Sequence, residues 1–255
     1  MPQLRCFTGF FFEPVCAIIT GMNSTYEQLK KELFDPAFAK TSFIKRDINI
    51  YASALPSYGV SGDHIKEISK KYAADPSLDL TSFALDEAVE LTVCYFIIGL
   101  LRAKDFPTKM AFLSANLPFV DSWGVTDSCP QFIKKPEAKV FIPYFKTFIA
   151  SPHPFVRRFA YVFAMGYYRD ENISAFISGV KNSPEYYVYM AEAWMLATFA
   201  ITHFEEVYAY IEKEDISLEL LRKTVSKCCD SFRIAPEQKE RLKTLRSARV
   251  LVSKG

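Results

Sequence analysis

SWGVTD at 122–127, HPFVRRFAYVFAM at 153–165 and PEYYVYMAEAWML at 184–196 carry the reading of this chain. Each starts, or lies within, a short amphipathic helix by the spacing of its apolar residues. Each also holds residues that are costly to bury: Trp123 with Asp127, the pair Arg157 and Arg158, and Trp194. Trp123 to Arg158 is 35 residues and Arg158 to Trp194 is 36. A near-constant step of that size is the period of a helical-hairpin repeat. In a stack of such hairpins equivalent positions line one surface. The spacing therefore predicts two indoles, a carboxylate and a guanidinium converging on a single concave wall.

Helices are expected on both sides of these segments. Residues 25–39 read as a first helix, and 40–60 as one short helix with a loop around Pro56 and Gly59. Residues 61–73 form a charged amphipathic helix with Ile65, Ile68 and Tyr72 inward and His64 as a surface or capping residue in its first turn. Residues 81–103 are the strongest periodic run, opened by Thr81 or Ser82, with Leu85, Val89, Val93, Phe96 and Leu100 at helical spacing. Further helices are expected at 106–116, 136–150, 202–213, 217–232 and 236–250. Two more should open at the Ser-Pro pairs 151–152 and 183–184, with serine as N-cap and proline at the first helical position. No convincing alternating run marks a strand. The fold expected is all-α, with helical hairpins stacked into a curved α-solenoid.

Composition agrees with a packed helical body. The chain has 255 residues, half of them apolar, with nine glycines against 23 Phe and 14 Tyr. That makes disorder improbable on composition and leaves a sizeable core available. The six cysteines form no CxxC pair and the three histidines stand far from them, so no metal site and no cofactor is expected. A reducing, cytoplasmic setting fits this cysteine usage. The net charge of +2 is small for a nucleic-acid binder, so any such surface must arise from local clustering. One cluster is visible, Lys239 to Lys254, and a solvated helix face explains it equally well. Residues 1–21 include the apolar stretch CFTGFFFEPVCAIIT, which Glu13 and Pro14 interrupt and which is too short to span a bilayer. They are expected to be an N-terminal extension, with 22–255 as a single repeat domain, monomeric and without a membrane partner.

HPFVRRFA resembles the second helix of a HEAT repeat, and the chain as a whole resembles the AlkD-like family of DNA alkylation repair enzymes. Those enzymes are HEAT-like-repeat DNA glycosylases. The likeness runs from about Gly59 to Arg246 and rests on GVSGDHIKEISKKY, SWGVTD, FVRRFAYVFAM, YYVYMAEAWMLATFA and KCCDSFRIAPEQKERLKTLR. The family's motif is a Trp, an Asp four residues on, an Arg in the next repeat helix and a Trp in the repeat after that. It falls here on Trp123, Asp127, Arg158 and Trp194. The resemblance implies hydrolysis of the N-glycosidic bond of N3- or N7-alkylated purines in duplex DNA, without insertion of the base into a deep pocket. Asp127 would stabilise an oxocarbenium-like deoxyribose, Trp123 and Trp194 would pack on the backbone at the lesion, and Arg158 would hold a phosphate. The family's N-terminal grip on DNA would fall to Phe43, Lys45, Arg46 and Tyr51.

Taken without the resemblance, each residue has a plainer reading. Trp194 fits a core position. Asp127 fits a cap, or a structural bridge to Arg158. Arg158 and Arg157 are the candidate DNA-binding residues, and only one of them can face a given ligand, since helical neighbours lie about 100° apart. The alternative function is a HEAT-like module that binds nucleic acid or protein with little or no catalysis.

Overall fold

The computed structural model describes residues 24–39, 53–213 and 215–252. The proposed extension at 1–21 and the four residues Phe43, Lys45, Arg46 and Tyr51 lie outside them. Twelve α-helices occur among the described residues. In chain order they are α1 (Ser24–Leu33), α2 (Gly62–Ala73), α3 (Val89–Arg102), α4 (Phe106–Asn116), α5 (Trp123–Ser128) and α6 (Ala138–Ile149). Then come α7 (Pro154–Ala164), α8 (Ile173–Ile177), α9 (Tyr186–Phe199), α10 (Phe204–Ile211), α11 (Leu218–Asp230) and α12 (Pro236–Val252). Extended pairing among those residues is limited to one isolated bridge between Ala39 and Val60.

The helices form two rows. One runs α3, α5, α7, α9, α11, each packed on the next. The other runs α6, α8, α10, and α6 packs on α7 while α10 packs on α9. The ends are closed by α2 against α3 and by α12 against α11. Neighbour-on-neighbour packing of this kind is what a helical-hairpin stack requires. The repeat is also visible in the bonds between hairpins. Ser217 donates its backbone N–H to the Asn182 side chain at 3.0 Å, 35 residues apart. Arg241 makes a two-pronged bond to Glu205, 36 residues apart, at 2.6 and 2.9 Å. Arg249 donates to the carbonyls of Lys213 and Ile216. Two basic residues of the C-terminal cluster thus staple α12 to the preceding hairpin.

Aromatic rings fill the space between rows. Phe141, Phe145, Phe159, Tyr161, Tyr167 and Phe176 are all buried, and Phe141 and Tyr167 stack with centroids 5.8 Å apart. The Tyr161 hydroxyl donates to the Gly179 carbonyl at 3.0 Å, which satisfies its polar end inside the core. Ile65, Ile68 and Tyr72 are buried on α2 as their spacing predicts. Cys94 is fully buried, and burial pushes its thiol up to about 12.

Several boundaries differ from the expectation. The run 81–103 is helical only from Val89, preceded by a 3₁₀ turn at Leu80–Ser82. The start moves because the loop before α2 caps the helix. The N–H of Val89 donates to the Pro56 carbonyl, and Glu90 turns back to accept from Ser57, Tyr58 and Gly59. The two Ser-Pro pairs stand ahead of their helices, which begin at Pro154 after His153 and at Tyr186 after Glu185. Helix α1 stops at Leu33, and Pro36–Phe38 is a separate 3₁₀ turn. His64 is not a surface residue. It is 7 % exposed, its Nε2 bonds the Glu32 carbonyl at 2.9 Å, and its ring stacks on Phe38 at 3.9 Å.

At Gly99 the Phe112 ring of α4 packs directly against the backbone of α3. A Cβ there would fall 2.2 Å from the Phe112 ring, which sits between Tyr95 and Phe96 and has little room to retreat. A Cβ at Gly62 would meet nothing within 4 Å. Gly99→Ala should therefore destabilise by about 1–3 kcal/mol, and Gly62→Ala should be neutral or stabilise by up to about 1 kcal/mol. Urea denaturation of both variants checks this. Equal stability of the two would show that the α3–α4 contact yields easily.

Candidate functional site

Asp127 and Arg158 form the centre of the site. The Ser122 side chain accepts from the Gly124 N–H at 3.1 Å and starts α5, whose single turn and a half carries Asp127 to its far end. Arg158 sits on α7. Its Nε donates to Asp127 Oδ1 at 2.9 Å and its Nη2 to Oδ2 at 2.7 Å, a two-pronged clasp of planar groups. Its Nη1 donates to the Tyr187 carbonyl on α9 at 2.7 Å. Thr126 adds a hydroxyl to Asp127 Oδ1 at 3.1 Å. Arg158 is only 7 % exposed. The residue expected to hold a phosphate is thus largely withdrawn from solvent. Three of its five N–H groups are engaged, which leaves one on each terminal nitrogen.

Arg157, one position back on α7, points elsewhere. It donates to the carbonyls of Ser151 and Pro152 at 2.9 and 3.2 Å and pairs with the Glu185 carboxylate. It ties the start of α7 to the start of α9, in a shallow groove it shares with Lys181 and Ser183. Asp127 and Arg157 do not meet.

The two tryptophans line separate depressions, and only that of Trp123 holds Asp127. Trp123 is half-buried and, with Asp127, lines a cleft of about 180 Å³ walled by Ile65, Val89, Val93 and Ile97. Trp194 is 42 % exposed, so it is a surface residue and not core. It borders a second, wider depression with Lys227, Asp230 and Arg233. The Lys227 Nζ stands 5.4 Å from the Trp194 ring centroid, within cation–π range. Lys227 also links the two depressions electrostatically. Burial lowers its pKa below the usual lysine range, and the charges of Arg158 and Lys223 lower it further, against the pull of Asp230 and Asp127. Arg158 balances Asp127, and Asp230 offsets one of Lys227 and Arg233, so the depression beside Trp194 carries one net positive charge.

Lys227 and Glu90 were not singled out from sequence. A signal was present. Continuing the 36-residue step from Trp194 lands on Asp230, less than one helical turn from Lys227. Stepping back 35 from Trp123 lands on Ala88, two residues from Glu90. Lys66, on α2, stands at the rim of the first cleft and faces Asp63 at 3.5 Å. Among the described residues no group of three or more His, Cys, Asp and Glu side chains stands close enough to hold a metal ion. None of the described helices is long and apolar enough to cross a membrane.

Comparison with known proteins identifies the lineage of this arrangement. No curated protein matches the chain significantly. The family model described as DNA alkylation repair enzyme matches residues 36–227, which is 192 of the 255 positions and includes Trp123, Asp127, Arg158, Trp194 and Lys227. The chain belongs to the DNA alkylation repair enzyme family, and repair of alkylated DNA is the activity this membership supports.

Proposed function

We propose that the protein is a DNA glycosylase that releases N3- or N7-alkylated purines from duplex DNA. An alkylated purine is cationic and leaves readily. Its bond to C1′ breaks with both electrons going to the base, which departs neutral, and positive charge develops on the deoxyribose. Water then adds to C1′ and loses a proton. The observation that carries this reading is the placement of Asp127. Its carboxylate is fixed from behind by Arg158, yet it still lines the cleft beside Trp123. Arg158 and Thr126 fill three of its roughly four acceptor positions. One position remains for the attacking water or the sugar cation, in a geometry set before the substrate arrives.

The other groups divide the binding. Trp194, exposed beside Lys227, offers an indole face to the backbone. Lys227 supplies the phosphate contact that the resemblance gives to Arg158, and the two remaining Arg158 N–H groups would support it at the same edge. Arg158 itself acts chiefly as a positioning residue for Asp127. A second reading, a nucleic-acid-binding module with weak or no catalysis, is favoured by one observation: the same Arg158 that orients Asp127 also cancels much of its charge.

Single-turnover release of base from a duplex bearing one N7-methylguanine decides between them. Wild type should excise. Asp127→Asn should lower the rate by about 10²–10³ while binding DNA as tightly or slightly more so, because a negative charge near phosphates is gone. Equal rates would remove Asp127 from the chemistry. Binding without excision by wild type would leave the second reading.

Lys227 should show the opposite balance of binding and stability. Its pKa is lowered in the folded chain, so the folded state holds that proton less tightly than the unfolded state. The resulting cost is complete below the folded pKa and fades as pH rises toward about 10.4. Lys227→Met should therefore raise stability at pH 7, with the gain shrinking at alkaline pH. The same variant should bind DNA more weakly, with the slope of log affinity on log salt reduced by about 0.9. Unchanged binding with raised stability would assign Lys227 to the fold alone.

A further inference from the structure

Thr126 places a buried hydroxyl between two acceptors of the site. The residue is fully buried on α5. Its Oγ1 stands 3.0 Å from the Trp123 carbonyl and 3.1 Å from Asp127 Oδ1. A hydroxyl has one proton and donates to one of these at a time. A helical threonine ordinarily donates to a carbonyl three or four residues back, which here is that of Trp123. A carboxylate competes for the same proton, and a bond to a charged acceptor is the stronger. With Asp127 ionised the proton therefore goes to Oδ1. With Asp127 neutral it goes to the Trp123 carbonyl, and no heavy atom has to move.

The bonds separate the two oxygens of Asp127. Oδ1 accepts from Arg158 Nε at 2.9 Å and from Thr126, which fills its two acceptor positions. Among the described residues Oδ2 accepts from Arg158 Nη2 alone, at 2.7 Å. We propose that Thr126 is a positioning residue for excision: its hydroxyl closes Oδ1, leaves Oδ2 as the reacting oxygen, and holds Asp127 ionised until Oδ2 takes a proton. The inference rests on excision of alkylated purines as the activity and assigns that activity a further residue. Arg158 fixes the plane of the carboxylate, and Thr126 decides which of its two oxygens is free.

The hydroxyl follows the reaction. As the base leaves, Oδ2 faces the positive charge on the sugar. Water bonds to C1′ through its oxygen, and its released proton goes to Oδ2. The neutral carboxyl is a weaker acceptor, so Thr126 turns its proton to the Trp123 carbonyl. Loss of the Oδ2 proton to solvent turns it back. The other groups that bear on Asp127 act through charge. Helix α5 packs against α3, α7 and the turn that follows it. Arg158 from α7 and Lys227 from α11 favour the ionised carboxylate. Glu90 from α3 and Lys66 from α2 line the same cleft with opposite charges. Burial pushes the thiol of Cys129, in the turn, up and keeps it uncharged. Thr126 is the donor to Asp127 that can be removed without changing a charge.

The test uses the intact chain and two duplexes that cannot react. One carries a cationic pyrrolidine in place of the lesion nucleotide's sugar, the other a neutral tetrahydrofuran. Fluorescence anisotropy from mildly acidic to neutral pH should show wild type binding the cationic duplex about tenfold more tightly at neutral pH. That preference should fade on the acid side as Asp127 takes a proton. Thr126→Val replaces the hydroxyl with a methyl group, and the ionised carboxylate loses a donor. Its preference should therefore fade at a pH higher by about one unit, with affinity for the neutral duplex unchanged. Thr126→Ser should restore the wild-type profile. Single-turnover excision of N7-methylguanine should show the same displacement of its acid limb. A purely structural role would lower preference and rate equally at every pH, and that result overturns the proposal. So does a Val profile that superimposes on wild type, or a Ser variant that matches Val. If Thr126→Val folds poorly, Thr126→Ala removes the hydroxyl without adding a methyl and should show the same displacement. A displaced cation preference without excision would retain the role of Thr126 and remove the glycosylase reading; excision with an undisplaced profile would do the reverse.

Discussion

A single buried guanidinium ties together the helices that build the site. Arg158 on α7 bonds Asp127 on α5 and the Tyr187 carbonyl on α9, so three successive helices of one row share one group. Removing a charge from water is costly unless it is paired and its hydrogen bonds are met. That requirement fixes the relative placement of α5, α7 and α9 more sharply than apolar packing alone, because a displacement of about an ångström would break a two-pronged bond. The same requirement places the Asp127 carboxylate at the edge of the Trp123 cleft. It also sets Trp194, seven residues beyond Tyr187 on α9, beside the neighbouring depression. Fold and site therefore depend on one interaction, and the site costs the fold little at that point.

The cost is concentrated at Lys227 and Glu90 instead. Burial penalises the charge of Lys227, and the nearby charges of Arg158 and Lys223 add to the penalty, which the cation–π contact with Trp194 offsets only in part. Glu90 caps a loop with one oxygen and leaves the other without a hydrogen-bond partner among the described residues. Proteins keep such local conflicts where a ligand resolves them. An anionic phosphate would resolve the first.

Much of this was legible in the sequence, and the reasons for the failures are physical. The all-α fold followed from periodicity, and the 35- and 36-residue steps matched the spacing of bonds such as Ser217 to Asn182. Trp194 has core-like neighbours, Ala193 and Met195, which are indeed buried, but it occupies the other side of α9 and is exposed. What a sequence does not display is long-range capping. The start of α3 is set by Pro56 and by a Glu90 bond across more than thirty residues, so the local signals at Thr81 and Ser82 misplace it. His64 is held by Glu32 and Phe38 from another helix and a turn. For Arg157 and Arg158, adjacency shows that they diverge but not which way. Only the positions of Glu185 and Asp127 decide that.

The central claim is that the Asp127–Arg158 pair serves positioning through Arg158 and chemistry through Asp127. A double-mutant cycle with Asp127→Asn, Arg158→Met and both, read by urea denaturation and by single-turnover excision of N7-methylguanine, tests it most directly. Arg158→Met alone should cost about 3–5 kcal/mol, because it leaves a largely buried carboxylate unpaired. The double variant should recover most of that stability, since both charges are gone, and should recover none of the excision. A double variant that excises at the wild-type rate, or an Arg158→Met protein as stable as wild type, would contradict the account.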